Sequence, residues 1–391
     1  MAGNKIVITK YKDRNLMSVF ADGKLLELFF DGENSAVGNI YVGKVKNIVK
    51  NINAAFVELG EHTLAYFSMR DEHPIFLNSK RNNKLVCGDD LLVQIVKDGI
   101  KTKAPQVSSR LTFPGKYLVL TLEAGNICIS TKIKDPEKRK ALKQLFSDKL
   151  DPAFGVIIRT NAQDAPPVSI EAELHMLQEQ FKTIMDSAVY RTPGQCLFHV
   201  PNGFLQQVNN FCNENLEQII TDQPAVYDQL LEYFELYDEV AKQKLTLYED
   251  TVSLSTAYNI SRSVEHALNK RVWLKSGAYL VIEQTEAMVV IDVNTGKAIG
   301  KQNMEEHFFK INAEAARECA YQIRLRNLSG MILIDFINMD SAEHKERLIQ
   351  VLKEEIAKDS VKTNYIDTTG LGLVELTRKK VRKSLEEQML Q

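Results

Sequence analysis

The sequence predicts an α/β protein of several domains, and three observations lead there. At 391 residues, with 44% hydrophobic and 26% charged side chains, the chain is long enough for two to four domains of about 100–200 residues each. Its first third alternates apolar and polar residues in short runs, the pattern of half-buried strands. Its last third sets long helical stretches between apolar runs of the kind found in fully buried strands.

The elements follow in order. Residues 4–30 read as short antiparallel strands separated by Lys12-Asp13-Arg14-Asn15 and Ala21-Asp22-Gly23, which are turn-forming sequences. Residues 38–113 continue in short strands, among them Ile40–Val42, Lys44–Val49, Ala54–Leu59, Leu64–Phe67 and Leu91–Val96. About five such strands with polar turns make a small barrel. An α/β block comes next, with strands at Tyr117–Leu122, Asn126–Ile129 and Gly155–Arg159 and a long helix at Ile170–Ala188. A helix over Pro136–Phe146 is expected to use Asp135 as its N-cap and Pro136 as its first residue. Residues 203–240 read as helical throughout, with Leu230, Phe234 and Tyr237 at helical spacing. Tyr279–Ile282, Met288–Ile291 and Met331–Ile334 are buried strands, Glu305–Arg326 is a helix, and Asp340 is the expected cap of a helix running to about Ala357.

Charge is spread unevenly. The net charge is -2, which taken alone speaks against a nucleic-acid partner. Yet Thr192–Ala241 contains no Lys or Arg and eight carboxylates, so the other 341 residues carry 49 basic and 43 acidic side chains, a net of +6. The densest basic cluster, Arg378–Lys383, reads as a solvated helix end or as a contact for nucleic acid. Cys87, Cys128, Cys196, Cys212 and Cys319 include no C-x-x-C pair and read as buried thiols of a reducing compartment. The charged N-terminus is unlike a secretory signal and no run is long enough to span a bilayer. The expected location is cytoplasmic.

The chemistry concentrates at two strand ends. Val289–Ile291 leads into Asp292 and Ile332–Ile334 into Asp335, with one long helix between them. A strand–helix–strand crossover sets the two strands parallel, so both carboxylates emerge at one carboxyl edge. Like charges so placed call for a cation, and oxygen-only donors suit Mg²⁺ or Mn²⁺. Asn294, two residues beyond Asp292 on the same face, is placed to orient it or to donate to a phosphate oxygen. The competing reading is that the aspartates merely form turns or cap helices. Thr295-Gly296-Lys297 and Gly370-Leu371-Gly372 lack the spacing of phosphate-binding loops, and seven scattered histidines form no constellation. In the barrel, Phe56 and Tyr66 with Tyr41, Lys44 and Lys46 could stack bases and neutralise phosphates, Phe56 serving equally well as core.

These residues resemble the ribonuclease E/G family. AVGNIYVGKV from Ala36 to Val45 and AAFV from Ala54 to Val57 look like its S1-type RNA-binding domain. WLKSGAY (Trp273–Tyr279), QTEA (Gln284–Ala287), IDVNTGK (Ile291–Lys297), QIRLRNLSG (Gln322–Gly330), IDFI (Ile334–Ile337) and GLVELTRK (Gly372–Lys379) look like its catalytic segment.

The resemblance implies an RNase H-like domain in two parts, 1–36 and 204–267, with an S1-type OB-fold barrel at 37–109. A 5′-sensor domain at 110–203 and a DNase I-like catalytic domain at 268–391 complete the chain. It implies a Mg²⁺-dependent endoribonuclease on single-stranded RNA, with Asp292 and Asp335 as metal ligands and Asn294 as their companion. Gly115, Val119, Arg159 and Thr160 would bind an RNA 5′-monophosphate, and Phe56, Tyr66 and Lys103 would contact RNA. Ser130-Thr131-Lys132-Ile133 stands where the family commonly has Ser-Arg-Arg-Ile, which lowers the cationic character of the sensor. The family's C-P-x-C zinc-link is missing, so neither zinc nor a zinc-linked dimer is expected. A non-catalytic RNA-binding scaffold of the same fold and a phosphohydrolase of small nucleotides are the rival readings.

Overall fold

A computed structural model describes residues 3–31, 36–60, 63–70, 73–77, 84–99, 104–122, 125–147, 149–200, 204–212, 215–296 and 304–390. It is a mixed α/β structure of four sheets distributed over two compact units, residues 1–32 with 214–391 and residues 33–213.

In the first unit, Asn4–Tyr11, Arg14–Ala21 and Lys24–Phe30 form an antiparallel meander, as their turn sequences require. Lys12, Asp13 and Asp22 adopt positive φ in those turns, a conformation that aspartate tolerates better than most residues. Asn4–Tyr11 then pairs in parallel with Leu216–Thr221, and that strand with Leu245–Leu247. The acidic block is therefore not continuously helical. A strand, Leu216–Thr221, precedes helix Pro224–Tyr237, and its Ile219 and Ile220 are buried in the sheet. Tertiary pairing overrides the local pattern there.

The second sheet of this unit orders its strands Arg271–Trp273, Tyr279–Gln284, Met288–Asn294, Gly330–Asp335, Val374–Arg378 and Thr363–Thr368. Helices Met304–Leu325 and Ala342–Ile356 pack on it, and Val289, Ile291, Ile332, Ile334, Phe309, Cys319 and Leu352 form the core beneath. Burial pushes the Cys319 thiol pKa far up, as for an inert core thiol. Ser341, not Asp340, caps the second helix, its hydroxyl accepting from the His344 N–H at 3.3 Å. Asp340 precedes the cap and its own N–H donates to Glu305 at 3.3 Å.

The basic cluster is not a helix end, and its two arginines are committed to contacts within the fold, while Lys379 and Lys380 are exposed. Arg378 ends a strand at 2% exposure, and its Nε donates to Asp359 at 2.7 Å. Arg382 lies 3.6 Å over the Phe29 ring and pairs with Glu27 at 3.4 Å, while Lys380 pairs with Glu387 at 3.2 Å. The two arginines tie the unit together, whereas the exposed Lys380 pair adds little.

In the second unit, Ile40–Val49, Ala54–Glu58, Leu64–Ser68, Gln106–Ser108 and Asp90–Lys97 pair in that order, and Asp90–Lys97 returns to Ile40–Val49. The five strands thus close into a barrel around Val45, Val57, Phe67, Leu91 and Val107. A four-stranded sheet orders Thr112–Pro114, Leu118–Thr121, Gly155–Ile158 and Ile127–Ile129. Helices Pro136–Ser147 and Pro167–Ala188 contribute Phe146, Ile170 and Leu174 to its core. Asp135 caps the first of them, accepting from the Glu137 N–H at 2.9 Å. Cys87 and Cys128 are exposed rather than buried, with Cys212 and Cys319 inside. Among the described residues no helix is long and apolar enough to cross a membrane.

Candidate active site

The two aspartates meet as neighbours. Strands Met288–Asn294 and Gly330–Asp335 are parallel and Asp292 registers directly on Asp335. Alternation along the first buries Val289, Ile291 and Val293 against the helices and turns Val290, Asp292 and Asn294 to the open face. Asn294 Nδ2 donates to Asp292 Oδ2 at 2.7 Å, fixing that carboxylate and leaving its other oxygen available. Both carboxylates are exposed, and among the described residues no Lys, Arg or His forms an ion pair with either. Two uncompensated carboxylates on adjacent strands are a hard-oxygen donor set suited to a divalent cation that keeps several waters. No group of three or more metal-ligating side chains occurs among the described residues.

The helix beneath fastens the site from behind. Asn312, 0% exposed, donates from Nδ2 to the Ile337 carbonyl at 2.7 Å and accepts from the Ile337 N–H at 3.0 Å. It thereby pins the chain two residues after Asp335. Glu314 accepts from the Lys275 and Ser276 N–H groups at 2.7 and 3.3 Å, holding the Leu274–Gly277 turn beside Asn294. Gly296 has φ +56°, and a Cβ there would collide with the Gly277 carbonyl. Sequence reading missed these supports. The only available signal was a buried-face asparagine within an otherwise apolar helix stripe.

A second cluster lies on the four-stranded sheet. Arg159 follows strand Gly155–Ile158; its Nη1 donates to the Gly115 carbonyl at 2.5 Å and its Nη2 to Asn210 at 2.8 Å. The Thr160 and Ser130 hydroxyls lie 3.1 Å apart, brought together because Ile129 and Ile158 register in parallel. The Gly115 loop is held by Glu173, which accepts from the Lys116, Tyr117 and Leu118 N–H groups at 2.5, 2.8 and 2.8 Å. A Cβ on Gly115 would meet that carboxylate at 2.5 Å, so a side chain there would push Glu173 off the loop it holds. Burial pushes the Glu173 carboxyl above its ordinary range, against the lowering effect of those donors and of Arg159. Val119 sits half-buried, registered on the exposed Ile157. Thr131 and Lys132 are exposed nearby. Arg159, Thr160 and the Gly115 loop therefore converge, while Val119 lines the adjoining strand.

On the barrel, Phe56 and Tyr66 register on adjacent strands with their rings edge-on, centroids 6.3 Å apart. Both are half-buried on the outer face, since Ala55, Val57, Ala65 and Phe67 occupy the interior. Lys44 and Lys46 are engaged by Asp90 at 3.6 Å and Glu58 at 2.8 Å. Lys103 lies outside the described residues.

The model of the ribonuclease E/G family matches residues 112–381. Ribonuclease G of Haemophilus influenzae is 34% identical over 93% of this chain and 77% of its own length. Ribonuclease G of Escherichia coli is 32% identical over 94% and 78%. The ribonuclease E/G-like protein of Porphyra purpurea is 32% identical over 98% and 76%. This chain belongs to the ribonuclease E/G family.

Proposed function

We propose that this chain is a magnesium-dependent endoribonuclease that cuts single-stranded RNA in RNA processing or decay, leaving 5′-phosphate and 3′-hydroxyl ends. The observation that carries the reading is the registered pair Asp292–Asp335, with Asn294 bonded to the first. In this reading the two carboxylates hold Mg²⁺, or Mn²⁺ in its place, and Asn294 keeps Asp292 turned towards it. When bound, the cation supplies Lewis acidity, generating a nucleophilic water and stabilising charge on the scissile phosphate. The four sheets are read as the RNase H-like, S1-type, 5′-sensor and DNase I-like domains, with Phe56, Tyr66 and Lys103 contacting RNA on the barrel. The intracellular setting proposed is the cytoplasm.

A short fluorescent RNA incubated with magnesium should be cut internally, and EDTA should abolish the cutting. Binding without cleavage at any magnesium concentration would instead favour the RNA-binding scaffold. Hydrolysis of mononucleotides undisturbed by long RNA would favour the small-nucleotide phosphohydrolase.

The Arg159 cluster is proposed to bind the 5′-monophosphate of the substrate, with Thr160, Gly115 and Val119 around it. RNA bearing a 5′-monophosphate should then be cut faster than the same RNA with a 5′-hydroxyl. Arg159→Ala removes a charge-assisted donor and should shrink that preference roughly tenfold or abolish it. Matched cleavage rates on the two substrates measure it; a preference unchanged in the variant removes Arg159 from this role.

A further inference from the structure

Two lateral rows cross the open face of the catalytic sheet. Arg271, Val281, Asp292 and Asp335 register across four strands, and Trp273, Tyr279 and Asn294 across three. Directly registered residues share a face, so the candidate metal site continues sideways into an aromatic and cationic patch. Trp273, the single tryptophan of the chain, is 63% exposed. Its ring lies 5.1 Å from that of Tyr279, and the Arg271 guanidinium sits 4.5 Å from the Tyr279 centroid and 5.7 Å from that of Trp273. Strands are about 4.8 Å apart, which places the Trp273 strand about 10 Å from that of Asp292. Behind the patch opens a cavity of about 830 Å³ whose lining includes Arg262, His266, Lys270, Arg271 and Trp273 and no carboxylate, although Lys270 itself reaches Glu283 outside it at 3.2 Å. An exposed indole beside a guanidinium, on the margin of an acid-free basic cavity, has the chemistry that receives a base and its flanking phosphate.

Resting on the nuclease reading of the Asp292–Asp335 site, we propose that Trp273 stacks on the base next to the scissile phosphate. Tyr279 backs the indole, and Arg271 with the basic cavity takes the adjoining backbone. This subsite positions the strand laterally over the two aspartates. It is sequence-tolerant, because every base offers a π-face.

Since Trp273 is the only tryptophan, the unmodified protein reports its own subsite. In EDTA, where no cutting is expected, a short single-stranded RNA should quench the indole emission saturably, whereas inorganic polyphosphate should leave it unchanged. Trp273→Ala should weaken RNA binding, followed by anisotropy, about tenfold, and Trp273→Phe should keep most of it. With magnesium, an abasic residue next to the cleaved bond should slow the wild type about tenfold and barely affect Trp273→Ala. Cleavage without quenching would overturn the subsite and leave the nuclease reading standing. Quenching by RNA without cleavage would keep the subsite and sink the nuclease reading. Emission that changes on protein dilution alone, and not with RNA, would overturn the subsite in favour of an interface between copies of the chain.

Discussion

Asp335→Asn is expected to lower turnover by about 10³-fold or more, with RNA affinity within about twofold of wild type. The substitution keeps the shape of an exposed side chain, so folding should be nearly unchanged. What it removes is half of the charge that the Asp292–Asp335 pair offers to a cation. The contacts proposed for RNA lie elsewhere, on the barrel, the Arg159 cluster and the Trp273 patch, and they remain intact. The loss should therefore fall on kcat and on the magnesium concentration needed for half-maximal rate, while KM stays close. Single-turnover cleavage across a magnesium titration, set beside anisotropy in EDTA, separates these quantities. Turnover close to wild type at low magnesium would remove Asp335 from the metal site. Asp292→Asn should behave similarly, because its amide oxygen can still accept from Asn294.

The largest stability effect is expected at Asp359. Its carboxylate accepts from Arg378 Nε at 2.7 Å and from the Val361 N–H at 2.9 Å. The Arg378 Nη1 is satisfied by Asn327 Oδ1 at 2.7 Å and the Leu328 carbonyl at 3.0 Å. Asp359→Ala would leave the guanidinium buried without its counter-charge, a change that costs about 3–5 kcal/mol. The double variant Asp359→Leu/Arg378→Met should recover much of that loss, because apolar replacements of similar volume often match a buried ion pair. Urea unfolding followed by Trp273 emission reports on the unit that contains both residues. A midpoint unmoved in the single variant would show that the pair contributes nothing. The exposed pair Lys310–Glu306 of the same unit is the contrast, and removing it should leave the midpoint in place.

The two aspartates were legible because periodicity carries geometry. An apolar run ending in Asp, a helix, and a second such run admit one natural crossover, and the register of Asp292 on Asp335 is its outcome. Asn294 was legible for the same reason, lying two residues on along the same strand face. The Arg159 cluster was different: its members come from segments that no spacing rule links, and only the resemblance to a known family brought Gly115, Arg159 and Thr160 together. Asn312 and Glu314 were hidden, since a polar residue on a helix does not declare which loop it will hold. Counting charges misjudged Arg378 and Arg382 within the basic cluster, because a count cannot tell a solvated cation such as Lys380 from one at 2% exposure. The strand Leu216–Thr221 was missed because its partner lies about two hundred residues earlier, at Asn4–Tyr11, beyond the reach of local pattern.

That long-range pairing bears on how the chain is made. During synthesis the meander 4–30 emerges before its parallel partner, and strand Asn4–Tyr11 stays at an unpaired edge until Leu216–Thr221 has been translated. At about 5–20 residues per second, residues 33–213 take roughly 10–40 s to appear. The barrel and the four-stranded sheet, whose strands all fall inside that stretch, can close in the interval. These early strands thus wait longer for their partner than the strands of the barrel and the four-stranded sheet. Until then they present an open edge to neighbouring nascent chains, so slowed translation before residue 216 should raise aggregation more than slowing after residue 247.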